Sequence, residues 1–175
     1  MIVLGIDASL TGCGVSDGRT FADVLDTGKL AGHERVEEIL RQVSALMRGH
    51  GTEEELPLVV IEGPSYGSLG ARQHEVAGLW WMITHGLWQG GIPYAVAPPT
   101  TRMKYATGNG QAAKERVLSA VIRRYPDFVG DNNNQADAWV LACMGRDRYG
   151  LPTAVLPDQH RSALKGVAWP DGVSR

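Results

Sequence analysis

The chain has 175 residues, of which 43% are hydrophobic and 21% are charged, as is typical of one globular domain with a sizeable core. This composition excludes a disordered chain, a collagen-like repeat and a small disulfide-stapled fold. No window approaches the roughly 20 consecutive apolar residues that cross a bilayer, so we expect a cytoplasmic protein without membrane contact. Cys13 and Cys143 lie far from any CxxC pair or histidine cluster, which predicts buried thiols and no metal at either.

The net charge of −2 is unevenly distributed. Residues 1–100 carry 6 Lys and Arg against 12 Asp and Glu, whereas residues 101–175 carry 11 against 7. Six basic residues and one acid fall within residues 98–124, so this segment could bind a polyanion although the whole chain is acidic. A solvated helix face is the alternative interpretation.

The first predicted elements form an antiparallel meander. Residues 2–7 and 12–16 have the apolar pattern of buried strands. The pair Asp17-Gly18 predicts a hairpin turn into a third strand near residues 19–27. Apolar residues at spacings of three and four then predict an amphipathic helix over residues 33–48.

The rest of the chain alternates between predicted strands and helices. Residues 58–61 are a continuous apolar run typical of a parallel strand covered on both faces, and residues 94–97 form a fifth short strand. Further helices are predicted over four segments: 72–88, 101–106, 111–125 and 133–149.

This order predicts an α/β fold. A meander followed by right-handed crossovers gives one mixed five-stranded sheet with helices on both faces. Residues 1–149 then form one domain. Residues 150–175, which contain three prolines, are predicted to be an irregular C-terminal tail that Leu164, Val167 and Trp169 dock on the body.

Three acids stand where apolar segments end or are interrupted. Asp7 ends the first strand, and Glu62 directly follows the run 58–61. Function in open α/β sheets collects at the carboxyl ends of strands, so these two acids converge if their strands are parallel neighbours. Asp137 interrupts the apolar helix segment 136–142, whose alanines allow a close approach to the sheet. A cap, a turn or an exposed carboxylate is the alternative for each acid alone.

Converging carboxylates need a compensating cation, and hard oxygen ligands favour Mg²⁺, with Mn²⁺ as a substitute. Carboxylates around two such ions about 4 Å apart activate a water and stabilise the leaving oxygen in phosphodiester cleavage. The five histidines are scattered and no GxSxG motif is present, so no nucleophilic triad is indicated.

Four segments together resemble the RuvC family of Holliday junction resolvases, in order over about residues 1–148. They are Gly5-Ile6-Asp7-Ala8-Ser9-Leu10-Thr11-Gly12, Val60-Ile61-Glu62-Gly63-Pro64, the stretch from Lys104 through Gly108-Asn109-Gly110 to Lys114, and Asn134-Gln135-Ala136-Asp137-Ala138. The resemblance implies a ribonuclease H-like fold, a homodimer and metal-dependent nicking of paired strands at four-way DNA junctions. A branch-migration partner is not indicated either way.

The resemblance also implies roles for individual residues. Asp7, Glu62 and Asp137 match the metal-binding acids, and Lys114 matches a catalytic lysine near the scissile phosphate. Asn134 falls where a fourth acid or a histidine is usual, and its amide would offer a metal one oxygen but no charge. Asp131 would compensate only if it folds back from beyond the helix start. Ala8 replaces a more usual proline.

The predicted DNA contacts lie in two segments. The glycines around Asn109 let the backbone approach a phosphate, and the following helix start supplies N–H donors. Tyr66 lies near the position of a base-stacking aromatic in the family, with packing under its loop as the alternative. The full predicted set is Tyr66, Arg72, Lys104, Asn109 and Lys114.

Trp80 and Trp81 are adjacent on a helix, so they project to different sides. We expect one in the core and the other in a dimer interface, which the family builds from this helix.

Two other functions remain open from the sequence. One is a ribonuclease H-like nuclease that cuts flaps, forks or RNA–DNA hybrids. The other is a junction-binding protein whose catalysis is weakened by the loss of one metal ligand.

Overall fold

The sheet at the centre of the molecule has five strands in the spatial order β3-β2-β1-β4-β5. The computed structural model describes residues 1–52, 55–64, 73–171 and 173. Its strands are β1 (Val3–Asp7), β2 (Gly14–Ser16), β3 (Ala22–Val24), β4 (Leu58–Glu62) and β5 (Tyr94–Ala97). Its helices are α1 (Gly32–His50), α2 (Gln73–Gln89), α3 (Pro99–Thr107), α4 (Lys114–Arg124), α5 (Asn133–Arg148) and α6 (Asp158–Arg161), followed by a 3-10 helix, Ser162–Gly166.

The first three strands pair antiparallel, and β1, β4 and β5 pair parallel. The meander and the parallel crossovers predicted from the sequence are thus both confirmed. The hairpin turn is built by Asp17, whose Oδ1 accepts hydrogen bonds from the backbone N–H groups of Arg19, Thr20 and Phe21. Gly18 follows with φ of +68°, a conformation that favours glycine.

Alternate residues of each central strand face two separate cores. Val3, Leu58 and Val60 pack on the side that carries α3, α4 and α5. Leu4 and Ile6 pack on the opposite side, against α1 and α2. Because successive side chains of a strand point to opposite faces of the sheet, both faces of these strands are buried, which explains their unbroken apolar sequence. The predicted mixed sheet with helices on both faces is therefore confirmed.

Some boundaries differ from the prediction. The third strand is only Ala22–Val24, because the hydrogen bonds to Asp17 hold the preceding residues in the turn. Helix α4 begins at Lys114, not at Gln111, whose N–H is donated to Asn109 Oδ1 in the loop before it. Helix α3 begins at Pro99, where a proline suits the first turn of a helix.

The C-terminal residues fold back onto the body. This stretch contains α6 and the 3-10 helix, so it is more regular than the sequence predicted. Val167 is buried, and Leu164 and Trp169 pack against the core beside α3 and α5. Within the described ranges, no helix is long and apolar enough to cross a membrane.

Candidate metal and active site

The sheet topology brings the three predicted acids to one edge. Asp7 and Glu62 end β1 and β4, which are parallel neighbours with Ile6 opposite Ile61. Asp137 lies in the second turn of α5, which packs across β1. Asp7 and Asp137 are only 9% and 3% exposed, so two carboxyl groups are buried here side by side with Glu62.

Helix α5 reaches the sheet because small residues line the contact. An atom placed at the Cβ position of Gly5 would lie 2.0 Å from the backbone oxygen of Ala138 and 2.6 Å from the backbone nitrogen of Ala142. The helix start is fixed by a capping box, in which Asn132 Oδ1 accepts from Gln135 N and the Gln135 side chain accepts from Asn132 N. Glycine at position 5 therefore sets how closely Asp137 approaches β1.

Arg102 is the residue that sequence reasoning missed. It belongs to α3, is 4% exposed, and its Nε donates to Glu62 Oε1 at 2.6 Å. Its Nη1 donates to Asp137 Oδ1 in a buried ion pair. Arg102 was counted in the basic segment that could bind a polyanion, but its guanidinium is buried among the acids. Its partners are 40 and 35 residues away, so only the tertiary fold shows the pairing.

The electrostatics of the cluster follow from burial and close charges. Burial raises the pKa of Asp7 well above its ordinary value, and the neighbouring carboxylates of Glu62 and Asp137 raise it further. Arg102 acts in the opposite direction on the pKa of Asp7 but does not cancel the rise. Burial alone would lower the pKa of Arg102, yet Glu62 and Asp137 more than compensate and raise it. The cluster therefore has an excess of negative charge that one guanidinium does not balance.

The donor types at this edge fit a divalent metal ion. Asp7, Glu62 and Asp137 offer carboxylate oxygens, which Mg²⁺ and Mn²⁺ prefer. As the side chains stand, however, no group of three or more His, Cys, Asp or Glu in the described part of the chain is arranged to hold a metal. In this arrangement Arg102 engages one oxygen of Glu62 and one oxygen of Asp137.

Asn134 lies on the same helix face as Asp137, one turn earlier, next to the β1–β2 connection. Its side-chain nitrogen lies 2.3 Å from the Cβ position that Gly12 lacks. Asp131 precedes the helix start and is exposed, and its Oδ1 accepts from Asn132 Nδ2. The Asp131 carboxylate is therefore paired with Asn132, the N-cap residue of α5.

The glycine loop after α3 begins with a left-handed helix cap. Gly108 ends α3 with φ of +79°, and its N–H is donated to Lys104 O. Asn109 is exposed, and Lys104 is partly exposed. Lys114 begins α4, while its side chain lies outside what the structure describes.

The C-terminal residues support this loop. His160 Nδ1 lies 2.9 Å from Tyr105 O, and Gln159 Nε2 donates to Gly108 O. A cavity of about 440 Å³ next to His160 is lined by basic side chains of α4, namely Arg116, Arg123 and Arg124. The basic segment predicted from the sequence therefore faces a concave surface in part, while Arg102 faces the acids.

Two predicted DNA contacts, Tyr66 and Arg72, lie outside the described residues.

The adjacent tryptophans Trp80 and Trp81 project to different sides of α2, as predicted. Trp80 packs on the core and its Nε1 donates to the backbone oxygen of Glu62 at 3.0 Å, whereas Trp81 is 67% exposed. Trp80 thus helps to fix the end of β4, a positioning role that the sequence did not indicate.

Both cysteines are buried free thiols. Burial raises the pKa of Cys13 and of Cys143 to about 12, which keeps both protonated and unreactive at neutral pH.

The sheet order and the flanking helices define a ribonuclease H-like α/β fold, with acids at the strand ends. Among solved structures, that of Thermus thermophilus RuvC matches with a TM-score of 0.64 and 23% sequence identity, over 89% of this chain and 100% of that one. T. thermophilus RuvC in complex with a Holliday junction substrate matches with a TM-score of 0.63 and 19% identity, over 89% and 99%. The chain therefore has a RuvC-like fold, as predicted. No family model and no curated protein matches it.

Proposed function

We propose that this chain is a metal-dependent endonuclease that resolves four-way DNA junctions by paired symmetric nicking. The observation that carries the proposal is the convergence of Asp7, Glu62 and Asp137 at one sheet edge of a RuvC-like fold. The similar T. thermophilus protein has been solved with a Holliday junction substrate, which supports branched DNA as the ligand.

In this proposal, Asp7, Glu62 and Asp137 would hold the divalent metal, with the amide oxygen of Asn134 as a further donor. When bound, Mg²⁺ or Mn²⁺ supplies an activated water and stabilises the leaving 3′ oxygen. Lys114 stabilises the charge that develops on the phosphate, because it begins the helix that follows the glycine loop around the exposed Asn109.

The proposed DNA surface runs from this loop to the α4 cavity. Asn109 is exposed in the loop, and Arg116 and Arg123 line the cavity beside it. Cationic side chains that neutralise phosphates account for most of the affinity of such surfaces, and that affinity falls as salt rises. The acidic overall charge of the chain does not oppose this, since the basic residues are concentrated here.

We propose a cytoplasmic homodimer that pairs through the exposed face of α2. Trp81 and Trp88 are 67% and 69% exposed and lie two turns apart on that helix, and His85 packs against the Trp88 ring between them. Aromatic side chains are enriched in protein interfaces, and a two-fold dimer would place two sites on one symmetric junction. Light scattering of the Trp81→Ala and Trp88→Ala double variant tests this proposal. A dimer that persists in the double variant would contradict it.

A substrate panel tests the proposed activity. Purified protein is incubated with Mg²⁺, Mn²⁺ or chelator on a four-way junction, a flap, a fork, an RNA–DNA hybrid and linear duplex. We expect paired nicks at symmetric positions of the junction, dependent on the metal. Cutting confined to flaps, forks or hybrids would replace the proposal with the second nuclease function, and binding without cutting would make the chain a junction-binding protein.

A further inference from the structure

Arg102 forms the most buried ion pairs among the described side chains. Its guanidinium engages one oxygen of Glu62 and one of Asp137, and it is 4% exposed. A surface salt bridge contributes little to stability, but an arginine enclosed by carboxylates changes how much further positive charge they accept.

Counting charges limits what the cluster can bind. Asp7, Glu62 and Asp137 carry three negative charges when all are ionised, and Arg102 supplies one positive charge. One divalent ion added to these four side chains gives a neutral site. Two ions would leave an excess positive charge in a buried region, which is costly to desolvate.

The number of available ligands leads to the same limit. Arg102 already holds an oxygen of each of two carboxylates, and Asn134 adds an uncharged amide rather than a fourth acid. One Mg²⁺ needs one or two protein carboxylates because it keeps several waters, whereas two ions would have to share three acids of which Arg102 already engages two. The three acids together with Arg102 therefore suit a single ion.

We infer that Arg102 is a built-in cation of this site, which stays paired with Glu62 and Asp137 and limits the site to one divalent ion. The inference rests on the proposed function for the presence of a metal. Two ions were expected from the acids alone, and Arg102 takes the position of the second positive centre. Arg102 is a positioning residue here, since it acts through the carboxylates.

The test counts ions and measures metal-dependent stability, both without any DNA. Mn²⁺ binding to the full chain is followed by the loss of the free-ion electron paramagnetic resonance signal. Thermal melting is recorded with chelator and with saturating MnCl₂. We expect one Mn²⁺ per chain for the wild type. In Arg102→Met we expect the metal-free Tm to fall by roughly 10 °C, because two buried carboxylates lose their partner.

The decisive result is how far Mn²⁺ raises the Tm of Arg102→Met. Without the guanidinium, the carboxylates attract a divalent ion more strongly, so we expect Mn²⁺ to bind Arg102→Met about tenfold more tightly and to raise its Tm more than that of the wild type. The matched control is Arg161→Met. Arg161 also pairs with a buried carboxylate, that of Asp147, so its loss lowers the Tm, but Mn²⁺ should raise this variant no more than the wild type.

If Arg102→Met does not fold, Arg102→Lys still tests the number of ions, because it keeps the positive charge and should bind one Mn²⁺ per chain. Two ions per chain in the wild type or in Arg102→Lys would overturn the inference and leave the proposed function standing. A Tm gain from Mn²⁺ that is equal in Arg102→Met and wild type would also overturn it. Absence of bound Mn²⁺ in every variant would overturn the proposed metal dependence as well.

Discussion

Replacing Gly5 with alanine should separate the acids without changing any of them. The added Cβ would lie 2.0 Å from Ala138 O, while ordinary contacts begin at 3.4 Å, so α5 must move from β1 by about 1.4 Å. The obstacle is helix backbone, which cannot rotate away. We therefore expect a loss of about 3 kcal/mol in unfolding free energy, at the upper end for overpacking, and a Tm lower by roughly 6–12 °C.

Activity should fall further than stability alone requires. Asp137 lies next to Ala138, so the same movement displaces its carboxylate from Asp7, and misplacement by about 1 Å costs roughly 10²-fold in rate. Urea unfolding and junction cleavage, assayed well below the Tm, measure the two effects separately. The control is Gly49→Ala, which adds a methyl group to α1 in open space and should leave cleavage unchanged and stability unchanged or higher by up to about 1 kcal/mol. Wild-type stability and cleavage in Gly5→Ala would refute the close packing described here.

Three further predictions concern Asp137, the hairpin residue Asp17, and Tyr66. Asp137→Asn should lower cleavage at least about 10³-fold while junction binding in chelator is retained, so loss of binding in a gel-shift assay would contradict a metal-ligand role. Hydrogen bonds lower the pKa of Asp17 although its partial burial opposes them, so its contribution is full above about pH 4 and is lost as pH falls through the lowered value. Asp17→Asn should therefore cost about 1 kcal/mol at pH 7 and progressively less as pH falls through the lowered pKa, and a difference independent of pH in urea titrations would exclude this origin. Tyr66→Ala should slow junction cleavage by roughly 5–150-fold through lost base stacking, and an unaltered rate would remove that role.

The sheet could be predicted because its signals are local. The β-branched run of β4 and the Asp17-Gly18 turn depend on neighbours in the chain, and both lie where they were expected. The short helix α6 was missed because four residues between prolines carry no measurable period. The late start of the third strand was missed because Asp17 side-chain hydrogen bonds, rather than backbone preferences, hold the residues before it in the turn.

The three acids of the candidate site could be predicted from the sequence, but its buried cation, Arg102, could not. An acid that ends an apolar strand is visible in the sequence, and the parallel pairing of β1 and β4 brings Asp7 and Glu62 to the same edge of the sheet. Arg102 looks in the sequence like the other basic residues of its segment. Its burial depends on carboxylates 40 and 35 residues away in the chain, so the sequence pattern alone predicted a polyanion surface.

Diffraction from crystals soaked in MnCl₂, recorded near the manganese absorption edge, would test the central claim most directly. The account predicts one anomalous peak per chain, in contact with carboxylate oxygens of Asp7, Glu62 and Asp137, with the Arg102 guanidinium still beside it. Carboxyl groups that face separate surfaces, with no peak between them, would contradict it.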